Sequence, residues 1–177
     1  MIRKVVDVKN PVLRAVARKI DKVDKKILML IADMEETLKS QNDPEGVGLA
    51  APQIGKSLAI FLMDYKDIHR VIINPEIVSL GKISDKTIKD KNKDEVLEGC
   101  LSLPHYYGPI KRAKTVTIKY MDINNQEKTE EFKGFYAHIV QHEVDHLNGI
   151  LFVDHILEQK ATLYKFNGSD DWEEVEL

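Results

Sequence analysis

The sequence predicts an α+β fold: short N-terminal helices, then small mixed and antiparallel sheets wrapped around a central helix carrying an HExxH motif. Three observations predict it. Apolar residues in the first third recur at three- and four-residue steps, those in the middle run together or alternate, and His142-Glu143-Val144-Asp145-His146 lies in a helical pattern after the last long strand pair. A chain of 177 residues is long enough for one domain, 1–177, with a sizeable core, and it contains no internal repeat.

Pro11 is suited to open a short helical turn covering Val12, Leu13 and Val16. A longer helix is predicted from Asp24, its N-cap, to about Ser40, with Ile27, Leu30, Ile31, Met34 and Leu38 on one face. Asn42-Asp43-Pro44-Glu45-Gly46 ends it with turn chemistry. Leu58–Asp64 and Arg70–Ile73 read as strands too apolar to be solvated on both faces, and Asn74-Pro75 restarts the chain as another extended piece through Ile77 and Val78. Ser84–Glu95, rich in Lys and Asp, reads as a solvated surface insertion. Lys114–Tyr120 alternates as a strand, turns at Asn124-Asn125 and returns over Glu127–Lys133. Gly134 leads into the HExxH helix, Gly149 caps its end, and Ile150–Val153 reads as a short buried strand. A terminal hairpin is predicted from Leu163–Phe166 and Trp172–Val175 about Asn167-Gly168.

Composition is ordinary for a globular protein, at 43% hydrophobic and 31% charged. A net charge of -3 provides no overall attraction to nucleic acid or to an anionic membrane. The longest apolar candidate for a span, Ile27 to Leu38, is interrupted by Asp33, Glu35 and Glu36, and the first residues lack a signal-peptide core. One cysteine excludes an intramolecular disulfide and suits a reducing compartment, so a cytoplasmic protein is expected.

The chemistry begins with the HExxH motif. Two histidines four residues apart share one face of a helix and can bind one metal, and Glu143 beside them can take a proton from water. Such a site needs a third protein ligand, for which Cys100, Asp154, His155 or a later Glu are candidates. Cys100 lies in Glu98-Gly99-Cys100-Leu101-Ser102, where glycine permits close approach; a lone cysteine is also a common inert core residue. Gly46–Gly55 lacks the Lys-Ser/Thr pair of a phosphate loop. It reads either as a strand and turn delivering the Gln53 amide into a site or as a tight core strand with Gln53 at the surface.

Together these segments resemble the three signature motifs of the peptide deformylases: GxGLAAxQ (Gly46–Gln53), EGCLS (Glu98–Ser102) and QHExDHLxG (Gln141–Gly149). Pro11–Arg14, Ile73–Glu76 and Leu151–Asp154 extend the likeness over about residues 5 to 157. The resemblance implies a metal-dependent hydrolase that removes the formyl group from N-formylmethionyl nascent peptides. It implies Cys100, His142 and His146 as ligands of one divalent ion, Glu143 as general base and acid, and Gln53 and the Leu101 N–H as oxyanion donors. Val47, Gly48 and Gly99 match positions that pair with an extended peptide, while Phe135, His138 and Ile139 match the pocket for its first side chain. Glu98, Arg112 and Asp145 match charged groups supporting the ligands, or else are surface ion pairs. Fe(II) is the implied native ion, with Zn(II), Ni(II) and Co(II) compatible with the same donors. A monomer with a transient ribosome contact is compatible with the family, although the acidic C-terminus lacks a basic terminal helix. His138 stands where many relatives carry Arg or an aliphatic residue, and His69, His105 and His155 read as surface or packing residues. The alternative activity for the same water-activating pair is a metallopeptidase.

Overall fold

The computed structural model describes residues 1–42, 45–83, 97–168 and 171–176. Ser84–Glu95 and part of the turn at Asn42–Gly46 therefore lie outside the described residues. In chain order the helices are α1 (Lys25–Lys39), α2 (Phe135–Leu147) and α3 (Phe152–Gln159). The strands are β1 (Gly48–Ala50), β2 (Ile60–Tyr65), β3 (Ile68–Leu80), β4 (Glu98–Cys100), β5 (Leu103–Gly108), β6 (Thr115–Met121), β7 (Glu127–Lys133), β8 (Leu163–Phe166) and β9 (Trp172–Val175). They form a five-stranded sheet, β1-β2-β3-β6-β7, and a four-stranded sheet, β4-β5-β8-β9. Every strand pairing within these two sheets is antiparallel.

The first sheet is buried on both faces near its middle. Along β2, Phe61 and Met63 join one apolar cluster while Ile60 and Leu62 join another, as successive side chains of a strand must. The first cluster takes Val116, Ile118 and Tyr120 from β6 and Ala137, Val140, Val144 and Leu147 from α2. The second takes Ile31, Met34 and Leu38 from α1. Asp24 caps α1 as its sequence predicts, accepting from the Ile27 N–H at 2.9 Å.

Three expectations are corrected. Pro11–Arg14 is a single 3₁₀ turn and Ala15 is already extended, so the spacing that would bring Val16 beneath the buried Leu13 does not continue, and Val16 is 70% exposed. Arg70–Ile73 and Ile77-Val78 belong to one strand, β3, rather than two pieces. Asn74 takes φ 52°, where an Asn is tolerated, and its side chain accepts from Ile20 N–H at 2.9 Å and donates to Ile20 C=O at 2.7 Å. The strand thereby absorbs Pro75 in a bulge and resumes pairing at Glu76. Finally, Ile150–Val153 is not a strand. Phe152 opens α3, because the Asp154 carboxylate accepts from the Leu151 N–H at 2.8 Å and the apolar pair Phe152/Ile156 is spaced for a helix face.

Candidate active site

Each signature segment reaches the site by a different local device. After β1 the chain tightens into a 3₁₀ turn, Ala51–Ile54, which Gly55 ends at φ 76°. Gln53 is buried there, not at the surface. Its Oε1 accepts from the Ala50 N–H at 2.8 Å, and since a backbone N–H can only donate, the amide Nε2 must face the other way. Nε2 lies 3.6 Å from Cys100 Sγ and 3.5 Å from Ser102 Oγ. Cys100 ends β4 at a register shift between Gly99 and Cys100. α2 supplies the histidines one turn apart.

These elements bring Cys100, His142 and His146 together, all buried, with one potential ligand atom from each within 4.8 Å of the others. Cys100 Sγ lies 3.3 Å from His146 Nε2. His142 Nδ1 is held by Glu98 Oε1 at 2.6 Å, which leaves Nε2 as its ligand atom. One thiolate and two imidazoles suit a divalent transition metal, and the donor spacing fits one ion. Asp154 and His155 are engaged elsewhere: Asp154 with Arg14 and the Leu151 N–H, His155 Nε2 with Asp145 Oδ2 at 2.8 Å.

A buried charge network lies behind the ligands. Arg112 donates to both oxygens of Glu98, at 2.7 and 2.6 Å, and to Asp145 Oδ2 at 2.9 Å. His138 Nε2 lies 2.5 Å from Glu98 Oε2 but is not aligned for a directed hydrogen bond. Burial alone would neutralise Glu98, but Arg112 and the two histidines outweigh it and hold its pKa well below the usual range. Burial likewise opposes charge on His142, yet Glu98 and Cys100 raise its pKa, whereas burial and the His142 charge lower that of His146. These are interior ion pairs, not the surface pairs that remained open from sequence. Replacing Glu98 with Ala strands Arg112 and frees the His142 ring. Thermal unfolding of the variant is expected to show a loss of about 3–5 kcal/mol, and metal titration roughly a 10- to 100-fold weaker affinity.

Gln141, adjacent to the first histidine, ties α2 to the same network. Its Nε2 donates to Ala113 C=O at 2.9 Å and Ala137 C=O at 2.8 Å, while its Oε1 accepts from Ala113 N–H at 3.1 Å. No role for this residue was legible beyond its place in the motif.

Glu143 is buried against β1, and a β-carbon on Gly48 would collide with its carboxylate. Burial pushes the Glu143 pKa up to about 7, and among the described residues its Oε2 has no hydrogen-bond partner. A carboxyl poised near neutrality can both take and return a proton.

A cavity of about 450 Å³ opens over this group. Val47, Gly48, Gln53, Gly99, Cys100, Leu101, Phe135, His138, Ile139, His142 and Glu143 line it, and His146 belongs to the donor group beside it. His138 stacks on Phe135 with ring centroids 5.8 Å apart. Glu45, Tyr65, Leu97, Tyr107 and Trp172 also line it. The last two escape sequence reading because strand pairing carries them to the site: β5 with β4 for Tyr107, and β8 with β5 and β9 for Trp172.

Three possible metal donors beside a buried carboxyl and an inward-facing amide have the make-up of a metal-dependent hydrolase. A sequence model described as polypeptide deformylase matches residues 2–162. The peptide deformylase of Dictyoglomus thermophilum is 42% identical over 159 residues, covering 90% of this chain and 95% of its own. Peptide deformylase 1 of Clostridium perfringens is 45% identical, covering 84% and 93%. Crystal structures of peptide deformylases from Legionella pneumophila (TM-score 0.76, 39% identity, 88% of this chain and 86% of that one) and Thermotoga maritima (0.75, 34%, 88% and 97%) share the fold. The chain belongs to the polypeptide deformylase family.

Proposed function

We propose that this protein hydrolyses the formyl amide of N-terminal N-formylmethionine on nascent polypeptides in the cytoplasm, releasing formate and a free amine. The observation that carries this reading is the convergence of Cys100, His142 and His146 beside Glu143 and the Gln53 amide. The three donors would hold one divalent ion, Fe(II) in the cell, with Zn(II), Ni(II) and Co(II) able to replace it. Bound there, such an ion supplies Lewis-acid chemistry, acidifying water and polarising a carbonyl.

The protein's own groups do the rest. Glu143 accepts a proton as water adds to the formyl carbon, then returns it to the departing nitrogen as the C–N bond breaks. Gln53 Nε2, held inward by the Ala50 contact, donates to the oxyanion together with the Leu101 N–H. β1 and β4 are terminal strands of their sheets and both border the cavity, so Val47, Gly48 and Gly99 can pair with an extended peptide. Phe135, His138 and Ile139 then take the methionine side chain.

Formate release from formyl-Met-Ala, assayed with anaerobic Fe(II) or with Ni(II), is the test. Cleavage of an unblocked peptide without formate release would instead assign a metallopeptidase. In the same assay Gln53→Ala is expected to lower kcat by roughly 10²- to 10³-fold with little change in metal content, the cost of losing one oxyanion donor. A kcat within twofold of the parent would remove Gln53 from the mechanism.

A further inference from the structure

The family match ends at residue 162, yet the β8–β9 hairpin that follows delivers Trp172 to the wall of the cavity. The placement is built in three steps. Gly99 on β4 pairs with Tyr107 on β5, and a β-carbon at Gly99 would lie 2.6 Å from Tyr107 Cε1, so the missing side chain lets the Tyr107 ring lean across β4. Tyr107 pairs in turn with Tyr164 on β8. Trp172 on β9 then packs edge-on against Tyr107 with centroids 5.5 Å apart, and is backed by Phe166 at 4.9 Å. Trp172 remains 45% exposed, an indole fixed on one side and open on the other.

Successive side chains of an extended peptide point to opposite sides. If the methionine side chain faces Phe135, His138 and Ile139 on α2, the next one faces the wall formed by the second sheet. We propose that Trp172 and Tyr107 form the contact surface for the residue following formylmethionine and select large apolar or aromatic side chains there. This rests on the deformylase reading above and adds a specificity-determining residue to it. Apolar and aromatic residues at that position gain contact with a preformed, rigid surface, whereas alanine does not reach it.

The test compares metal-loaded protein on formyl-Met-Phe, formyl-Met-Leu and formyl-Met-Ala. The parent is expected to favour Phe over Ala by about tenfold in kcat/KM, the scale of one aromatic contact, and Trp172→Ala to erase that preference through KM with kcat unchanged. Trp172→Phe is expected to retain most of it. Trp172 is also the sole tryptophan, so its emission reads the contact without any variant. Titrating metal-loaded parent protein with the product dipeptide Met-Phe is expected to shift or quench that emission, and Met-Ala to change it far less. Equal kcat/KM for Phe and Ala in the parent, a preference that survives Trp172→Ala, or identical emission responses to the two dipeptides would each overturn the assignment. A parent protein that releases no formate from formyl-Met-Ala would overturn the deformylase reading instead, and the emission titration would still decide whether the wall meets a second side chain.

Discussion

Glu143→Ala is expected to lower turnover by roughly a thousandfold, within the 10²- to 10⁴-fold span of general acid–base groups, while metal content stays at one ion per chain. The pairing of those two readouts matters, because Glu143 is not one of the three donors and its loss should leave the Cys100–His142–His146 group intact. A variant that kept both metal and turnover would place the base elsewhere. Stability should move the other way. In metal-free protein burial raises the Glu143 pKa to about 7, above the ordinary 4.5. A carboxyl with a raised folded-state pKa favours the fold below its unfolded pKa and loses that contribution as pH rises through the folded value. Metal-free Glu143→Gln and parent protein should therefore be similar in stability near pH 4, diverge between about pH 4.5 and 7, and differ by about 3 kcal/mol above it, with the variant the more stable. Chemical denaturation of metal-free protein at pH 4.5 and 8 measures this, and a parent that gains stability relative to the variant on going to pH 8 would contradict the burial argument.

Cys100→Ala is expected to abolish activity by removing the metal. Three protein donors share the binding free energy, and losing one from a site of roughly 12 kcal/mol costs about 3 kcal/mol or more, at least a hundredfold in affinity. Metal analysis after dialysis should find the variant depleted, and formate release should stay at background even when Ni(II) is resupplied at parent-saturating levels. Unchanged stoichiometry and affinity would redirect the ligand to Asp154 or His155, against their existing partners. Cys100 and His146 are 46 residues apart in sequence, so one ion bridging them also closes a long loop between β4 and α2. Chelation of parent protein should accordingly lower its melting temperature, and chelation of Cys100→Ala should not.

Much of the site was legible because its chemistry is local. His142, Glu143 and His146 need only helical spacing to converge, and the glycines flanking Gln53 and Cys100 announce tight backbone. Pattern also predicts β2, whose unbroken apolar run reflects burial on two faces. The failures share a cause: they depend on partners distant in sequence. Asn74 looks like a strand end until Ile20 satisfies its side chain. The run Ile150–Val153 is too short for its period to separate strand from helix, and Asp154 decides the matter through the Leu151 N–H. Arg112 is different: nothing local marks it, yet the family resemblance already names it among the supporting charges, and the fold sets it between Glu98 and Asp145. Trp172 lies outside the resemblance altogether.

The Gln141 side chain, finally, can be viewed as an alignment fixture. Its amide exchanges hydrogen bonds with both backbone groups of Ala113, as an opposing peptide unit would, while also gripping its own helix at Ala137. Ala113 follows Arg112, and Arg112 orients the carboxylate that orients His142. Helix and supporting arginine are thus referenced to a common datum, so thermal displacement of one carries the other along and their relative error stays small. In a reaction where a misplacement of about 1 Å can cost a hundredfold, shared displacement is harmless and differential displacement is not. One uncharged side chain, none of the three donors, thus couples the helix of the histidines to the segment that carries their supporting arginine.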